Sequence, residues 1–104
     1  MLRFENATVD LDNRTAIRDG QPIHLTPTEF RLLAALARHV DKVVTHRQLL
    51  AEVWGPTHEG DTHYLRIYMK QLRDKLEQDP LRPQHFLTDT GVGYRLVADE
   101  VARD

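Results

Sequence analysis

The 104-residue chain contains no cysteine, so neither a disulfide framework nor a thiolate zinc site is open to it. No apolar run approaches the roughly 20 residues needed to cross a bilayer, and the start MLRFENATVD lacks signal-peptide character. A soluble cytoplasmic protein with no membrane partner is therefore expected. Catalytic signatures are missing too: there is no Gly-rich phosphate loop and no nucleophile elbow. The length suits one domain with a modest core, without room for a deep substrate cleft as well. The expectation is a protein that is not an enzyme and needs no cofactor. A surplus of positive charge is also lacking, since 14 Lys and Arg face 16 Asp and Glu for a net charge of -2, which excludes a uniformly basic nucleic-acid binder.

The charge is unevenly placed, however. Residues 61–73 carry +2 and residues 74–104 carry -3, while the remainder is close to neutral. A local basic patch of this kind suffices to bind phosphate, more weakly and with more sensitivity to salt than a uniformly basic surface.

What is present is a change of period along the chain. Up to Leu25 the pattern is short and alternating, LRF, ATVDL, RTAIR and QPIHL, separated by Glu5-Asn6, Asp12-Asn13 and Asp19-Gly20. Asp-Gly is a strong hairpin signal, and the segment reads as four antiparallel strands. At Leu25 the period becomes helical. Thr26 is placed as N-cap, Pro27 as the first helical residue and Glu29 as the third, predicting a helix to about residue 39 that buries Phe30, Leu33, Leu36 and Ala37. Val43-Val44-Thr45 reads as an extended link. Thr45 and Gln48 repeat the cap grammar for a second helix, about 45–54, which ends at Gly55-Pro56.

The third helix, 61–77, is the most telling segment. Leu65, Met69, Leu72 and Leu76 make one apolar stripe, whereas His63, Arg66, Ile67, Lys70 and Gln71 lie mainly on the far side with Arg73 at its edge. Between Thr62 and Arg73 there are three fixed positive charges and no acid. Pro80 and Pro83 forbid continuation, and FLTDT, GVG and YRLV then read as a terminal hairpin whose Gly91 and Gly93 are expected to supply positive φ. The fold class predicted is α+β: a winged helix-turn-helix with a four-stranded antiparallel N-terminal sheet, three helices and a C-terminal β-hairpin wing.

Here LTPTEFRLLAALARH, VVTHRQLLAEVWG, YLRIYMKQLRDKLEQDP and FLTDTGVGYRL resemble the DNA-binding output domain of OmpR/PhoB-type response regulators across residues 2–97. VWGP, HYLRIYM and LEQDP are most similar to the type served by a potassium-sensing histidine kinase. The resemblance implies that residues 1–104 are the output domain, that a phospho-accepting receiver domain stands upstream in the whole protein, and that no Asp here is the phosphoacceptor. It implies duplex DNA as partner, with the third helix in the major groove, the wing at the minor groove, and the loop 55–60 facing RNA polymerase. Arg66, Ile67 and Gln71 match base-edge contacts; His63, Tyr68, Lys70 and Arg73 match positions on phosphate or in the groove. Trp54, Thr88 and Tyr94 match backbone contacts. Thr90 and Gln71 stand where certain members carry arginine, so minor-groove insertion and guanine reading do not carry over there.

Each residue also has a plainer reading. Trp54 and Tyr68 suit simple core packing, and Arg95 suits solvent. Two other functions draw on parts of the same sequence. One is a winged helix used only for protein contacts, which would need no basic third helix. The other is a metal enzyme built on His58, Glu59, Asp61 and His63, but its histidines are five apart with Gly60 between them, unlike the i, i+4 pair of a zincin helix. No metal site is expected.

Overall fold

A computed structural model describes residues 1–58 and 60–101. Glu59, which belongs to both the expected polymerase-facing loop and the histidine-rich cluster, lies outside the described residues.

The four N-terminal strands form as their turns predict: β1 (Leu2–Phe4), β2 (Ala7–Asp10), β3 (Thr15–Arg18) and β4 (Gln21–Ile23). At the β3–β4 turn Asp19 and Gly20 both adopt positive φ, at 50° and 78°, the pair of conformations that matches the twist of a tight hairpin. Leu2, Phe4, Ala7, Val9 and Ala16 are buried. The tail adds a strand that carries no periodic signal. Glu100–Val101 (β8) pairs antiparallel with β1, so the sheet has five strands in the order β4-β3-β2-β1-β8.

Helix α1 (Pro27–Ala37) begins in the predicted capping box. The Glu29 amide donates to Thr26 Oγ1 at 3.2 Å, and the Thr26 amide donates to Glu29 Oε1 at 2.7 Å, satisfying two helix-end donors reciprocally. The buried face is wider than expected, since Leu32 and Ala35 join Phe30, Leu33 and Leu36 while Ala37 is only partly covered. Both later helices and a strand of the terminal hairpin pack against α1, which a single apolar stripe does not foresee.

Thr45 caps α2 (His46–Trp54), its hydroxyl accepting from the Gln48 amide at 3.1 Å. A short 3-10 turn (Pro56–His58) leads to α3 (Thr62–Leu76), where Leu65, Met69, Leu72 and Leu76 are all buried. The hairpin is β6 (Phe86–Asp89) and β7 (Gly93–Leu96). Val43–Thr45 is more than a link: it forms β5 against β7, making a three-stranded sheet in the order β5-β7-β6. That contact explains Gly93. Gly91 does have positive φ, at 77°, but Gly93 does not, and a Cβ there would collide with the Val44 carbonyl and sit 2.8 Å from Thr45 Cα. Gly93 permits close approach of a strand rather than a turn conformation.

Candidate nucleic-acid interface

Because the stripe of α3 is consumed by the core, its opposite side is left outside. His63, Tyr64, Arg66, Ile67 and Lys70 are exposed, and Gln71 is half-buried beside them. Ile67 is 48% exposed and does not join the core of the described residues. Lys70 Nζ lies 2.9 Å from Asp74 Oδ2, an exposed i, i+4 pair. Such a pair is weak, so it leaves the ammonium available to another anion.

Two clefts flank this exposed face. One, of about 320 Å³, brings Arg66 together with Thr88, Thr90 and Tyr94 of the hairpin, and adds His46 and Thr62. The other, of about 440 Å³, is bordered by Arg66, Lys70 and Arg73 on the helix and by Pro80 and Leu81 of the following loop. Arg66 therefore stands on the ridge between them. His46, Thr62 and Leu81 had no signal at helical or strand period. His46 is the first residue of α2, and its ring meets Tyr94 edge-on at 5.4 Å.

Tyr94 itself is nearly buried, and burial raises the pKa of its phenol against the opposing charges of Arg73 and Arg66. It is thus held as a neutral O–H. Thr88 faces it across the strand pair and is exposed, as is Thr90 at the turn. Trp54 is half-buried and packs on the core. Its ring stacks on Tyr64 at 5.9 Å with 23° between planes, and tilts against Tyr68 at 5.4 Å. His63 adds a contact to Tyr64 at 4.3 Å, so the start of α3 is braced by an aromatic cluster, and Tyr68 has both a packing role and an exposed edge.

Arg73 is placed differently from the other cations. Its Nε–H donates to the Phe86 carbonyl at 2.9 Å and its Nη2 to Thr88 Oγ1 at 2.8 Å, while burial lowers its pKa, opposed by Tyr94 and Glu77. Arg95 is 39% exposed in its side chain, with Nε 3.8 Å from Asp89 Oδ2, so it lies along the sheet instead of projecting to solvent as expected. His58 Nδ1 sits 2.9 Å from Asp61 Oδ2. Among the described residues no three His, Asp or Glu side chains gather as a metal cage.

Three helices with an exposed polar side on the third, braced by an adjoining hairpin, define a winged helix. The chain matches the family described as "Transcriptional regulatory protein, C terminal" over residues 20–96. It is 56% identical over 97 residues to the KDP operon transcriptional regulatory protein KdpE of Escherichia coli strain K12, covering 93% of this chain and 43% of that protein. It is 50% identical over 98 residues to KdpE of Mycobacterium tuberculosis strain H37Rv, covering 94% and 43%. The chain thus spans less than half the length of these relatives. Among solved structures, the DNA-binding domain of Klebsiella pneumoniae RstA in complex with the RstA box superposes with a TM-score of 0.78 at 26% identity, covering 92% of this chain and 95% of that one. The response regulator DrrB, a Thermotoga maritima OmpR/PhoB homolog, superposes at 0.77 with 33% identity, covering 90% and 42%. The chain belongs to the OmpR/PhoB-type family of C-terminal domains of transcriptional regulatory proteins.

Proposed function

We propose that this domain binds duplex DNA sequence-specifically as the output domain of a two-component response regulator, with α3 in the major groove and the β6–β7 turn at the minor groove. The observation that carries the reading is the exposed side of α3, where Arg66, Ile67 and Lys70 are all exposed, Arg66 beside the hairpin, while the apolar stripe is buried. Arg66 donates to a base edge, Ile67 packs on a thymine methyl, and Gln71 pairs with adenine. Lys70, His63 and Tyr68 serve phosphate or the groove wall, with Trp54, Thr88, Thr90 and Tyr94 as hydroxyl or N–H donors to the backbone.

The 56% identity to a regulator named for the KDP operon supports control of a potassium-transport operon of that type. The same relative's greater length supports a receiver domain preceding this one in the whole protein, phosphorylated by a sensor histidine kinase in the cytoplasm. Phosphorylation would pair two output domains on adjacent half-sites and raise affinity through effective concentration. The loop 55–60 would then face RNA polymerase.

Selection of bound sequences from random duplexes tests the reading, and failure to enrich any sequence would reject it. On the selected site Arg66→Ala should cost about 1–3 kcal/mol and relax preference at one position. Equal losses on selected and scrambled duplexes would reduce Arg66 to a phosphate contact.

A further inference from the structure

We infer that Arg73 is a positioning residue of the DNA interface: its guanidinium fixes the hairpin against α3 and turns the Thr88 hydroxyl into a donor aimed at phosphate. The inference rests on the DNA-binding reading above. Its basis is the pair of bonds from one planar group, Nε to the Phe86 carbonyl at 2.9 Å and Nη2 to Thr88 Oγ1 at 2.8 Å. The guanidinium carbon also lies 5.9 Å from the Tyr94 ring centre, so three hairpin residues are held by one side chain. A threonine hydroxyl has one hydrogen and two lone pairs. With Arg73 donating into the oxygen, the hydrogen has to point elsewhere, and a charged donor on one side polarises it for the next bond. Thr88 is exposed on the cleft that Arg66 also lines, so the outward direction is toward the DNA-facing side. Lys70 is the contrast, with a side chain 77% exposed and paired with Asp74 of its own helix. A lysine at 73 has one charged centre on a flexible stem and does not reproduce the planar fork.

The test begins with amide exchange of the free 104-residue chain. Arg73→Gln should speed exchange in β6 and β7 about tenfold or more relative to the middle of α3, because a charge-assisted strut is lost from the hairpin alone. Equal changes in both elements overturn the proposal. On the selected duplex, Arg73→Gln should bind about tenfold more weakly, yet change the slope of log affinity against log salt by less than about a third of the 0.9 expected for a lost phosphate contact. Adding Thr88→Val to Arg73→Gln should cost little further, whereas in the Arg73 background Thr88→Ser, which keeps the hydroxyl, should recover most of the affinity that Thr88→Val loses. Additive losses with a full drop in slope would make Arg73 an ordinary phosphate contact and overturn the proposal. Should the unsubstituted chain bind no duplex, the DNA reading fails by itself, and the exchange result still decides whether Arg73 positions the hairpin.

Discussion

The two halves of α3 use the same kinds of charged side chain for opposite purposes. In the first half, His63, Arg66 and Lys70 stand outside, and the acid nearest to Lys70 is an exposed helical neighbour. The second half, taken from Gln71 through the C-cap residue Glu77, instead turns Arg73, Lys75 and Glu77 back into the domain. Arg73 bonds to β6, and Lys75 Nζ reaches the His24 carbonyl at 2.9 Å and the buried Glu29 carboxylate at 2.6 Å. Glu77 accepts from the amides of His85 and Phe86, each at 2.9 Å. From β3, Arg18 donates to the Asp74 and Lys75 carbonyls at 3.2 and 3.1 Å, closing the helix C-terminus with a cation, where the helix dipole favours one. A charge tally along the helix therefore overstates its capacity for DNA. The first half has surface to offer a partner, and the second is a set of struts tying α3 to both sheets and to α1.

Breaking a strut should have the largest effect. Glu77 is 2% exposed, and Glu77→Ala would strand two backbone amides and the His85 ring, which lies 2.7 Å away through Nδ1. A loss of about 3–5 kcal/mol in unfolding free energy is expected from denaturant titration. The same network sets a pH dependence. Burial works against the charged His85, but its bonds to Glu77 and to Asp99, the latter at 3.1 Å, outweigh it and raise the pKa above 6.5. Burial also opposes ionised Glu77, yet the Phe86 and His85 amides hold its pKa below 4.5, and the Glu5 amide holds Asp99 below 3.8. A raised histidine contributes fully below 6.5 and loses its contribution as pH rises through the folded value. Lowered carboxylates contribute above their ordinary values and lose it as pH falls through the folded ones. Stability from this network should be greatest between pH 4.5 and 6.5 and decline on the alkaline side, and His85→Gln should flatten that decline in pH-dependent melts.

Changing the first half should leave stability alone and move binding instead. Lys70→Ala removes an exposed pair, for which about 0.5 kcal/mol or less of stability is expected. On DNA it should lower the slope of log affinity against log salt by about 0.9, the release accompanying one phosphate contact. Fluorescence titrations at several salt concentrations measure both the slope and the affinity. An unchanged slope would remove Lys70 from the phosphate contacts and leave the first half without its expected anion-binding role.

Much of this division is invisible to sequence period. The stripe of α3, the Thr26 and Thr45 caps and the Asp19-Gly20 turn are local, fixed by residues within four positions of one another, and they are legible for that reason. Arg73, Lys75 and Glu77 are satisfied by partners 8 to 51 residues away, and nothing in their spacing distinguishes an inward cation from an outward one. β5 escaped for a similar reason: Val43-Val44-Thr45 is too short for a period and becomes a strand by pairing with β7. Gly93 reads as a turn glycine from its GVG setting, but its necessity comes from the Val44 backbone brought against it by that same pairing. In the candidate site, the exposed helix face is readable from period, whereas His46, Thr62 and the cleft they line require the hairpin to be put in place, and the second cleft requires the loop at 80–83 to fold back beside α3.

The smallest effect expected is also the sharpest separation of binding from folding. Ile67 is 48% exposed on the side of α3 away from the stripe, so Ile67→Ala should change stability by no more than about 0.5 kcal/mol, as for surface substitutions generally. If its side chain covers a thymine methyl, the same change should weaken specific binding by about 1 kcal/mol, near fivefold, for the apolar area returned to water. Replacing that thymine by uracil removes the methyl from the other partner without altering the base pair. The unsubstituted domain should then lose a similar factor, and Ile67→Ala should be indifferent to the replacement. Titrations of the four combinations give the coupling directly. Independent losses from the two changes would show that Ile67 faces something other than a thymine methyl.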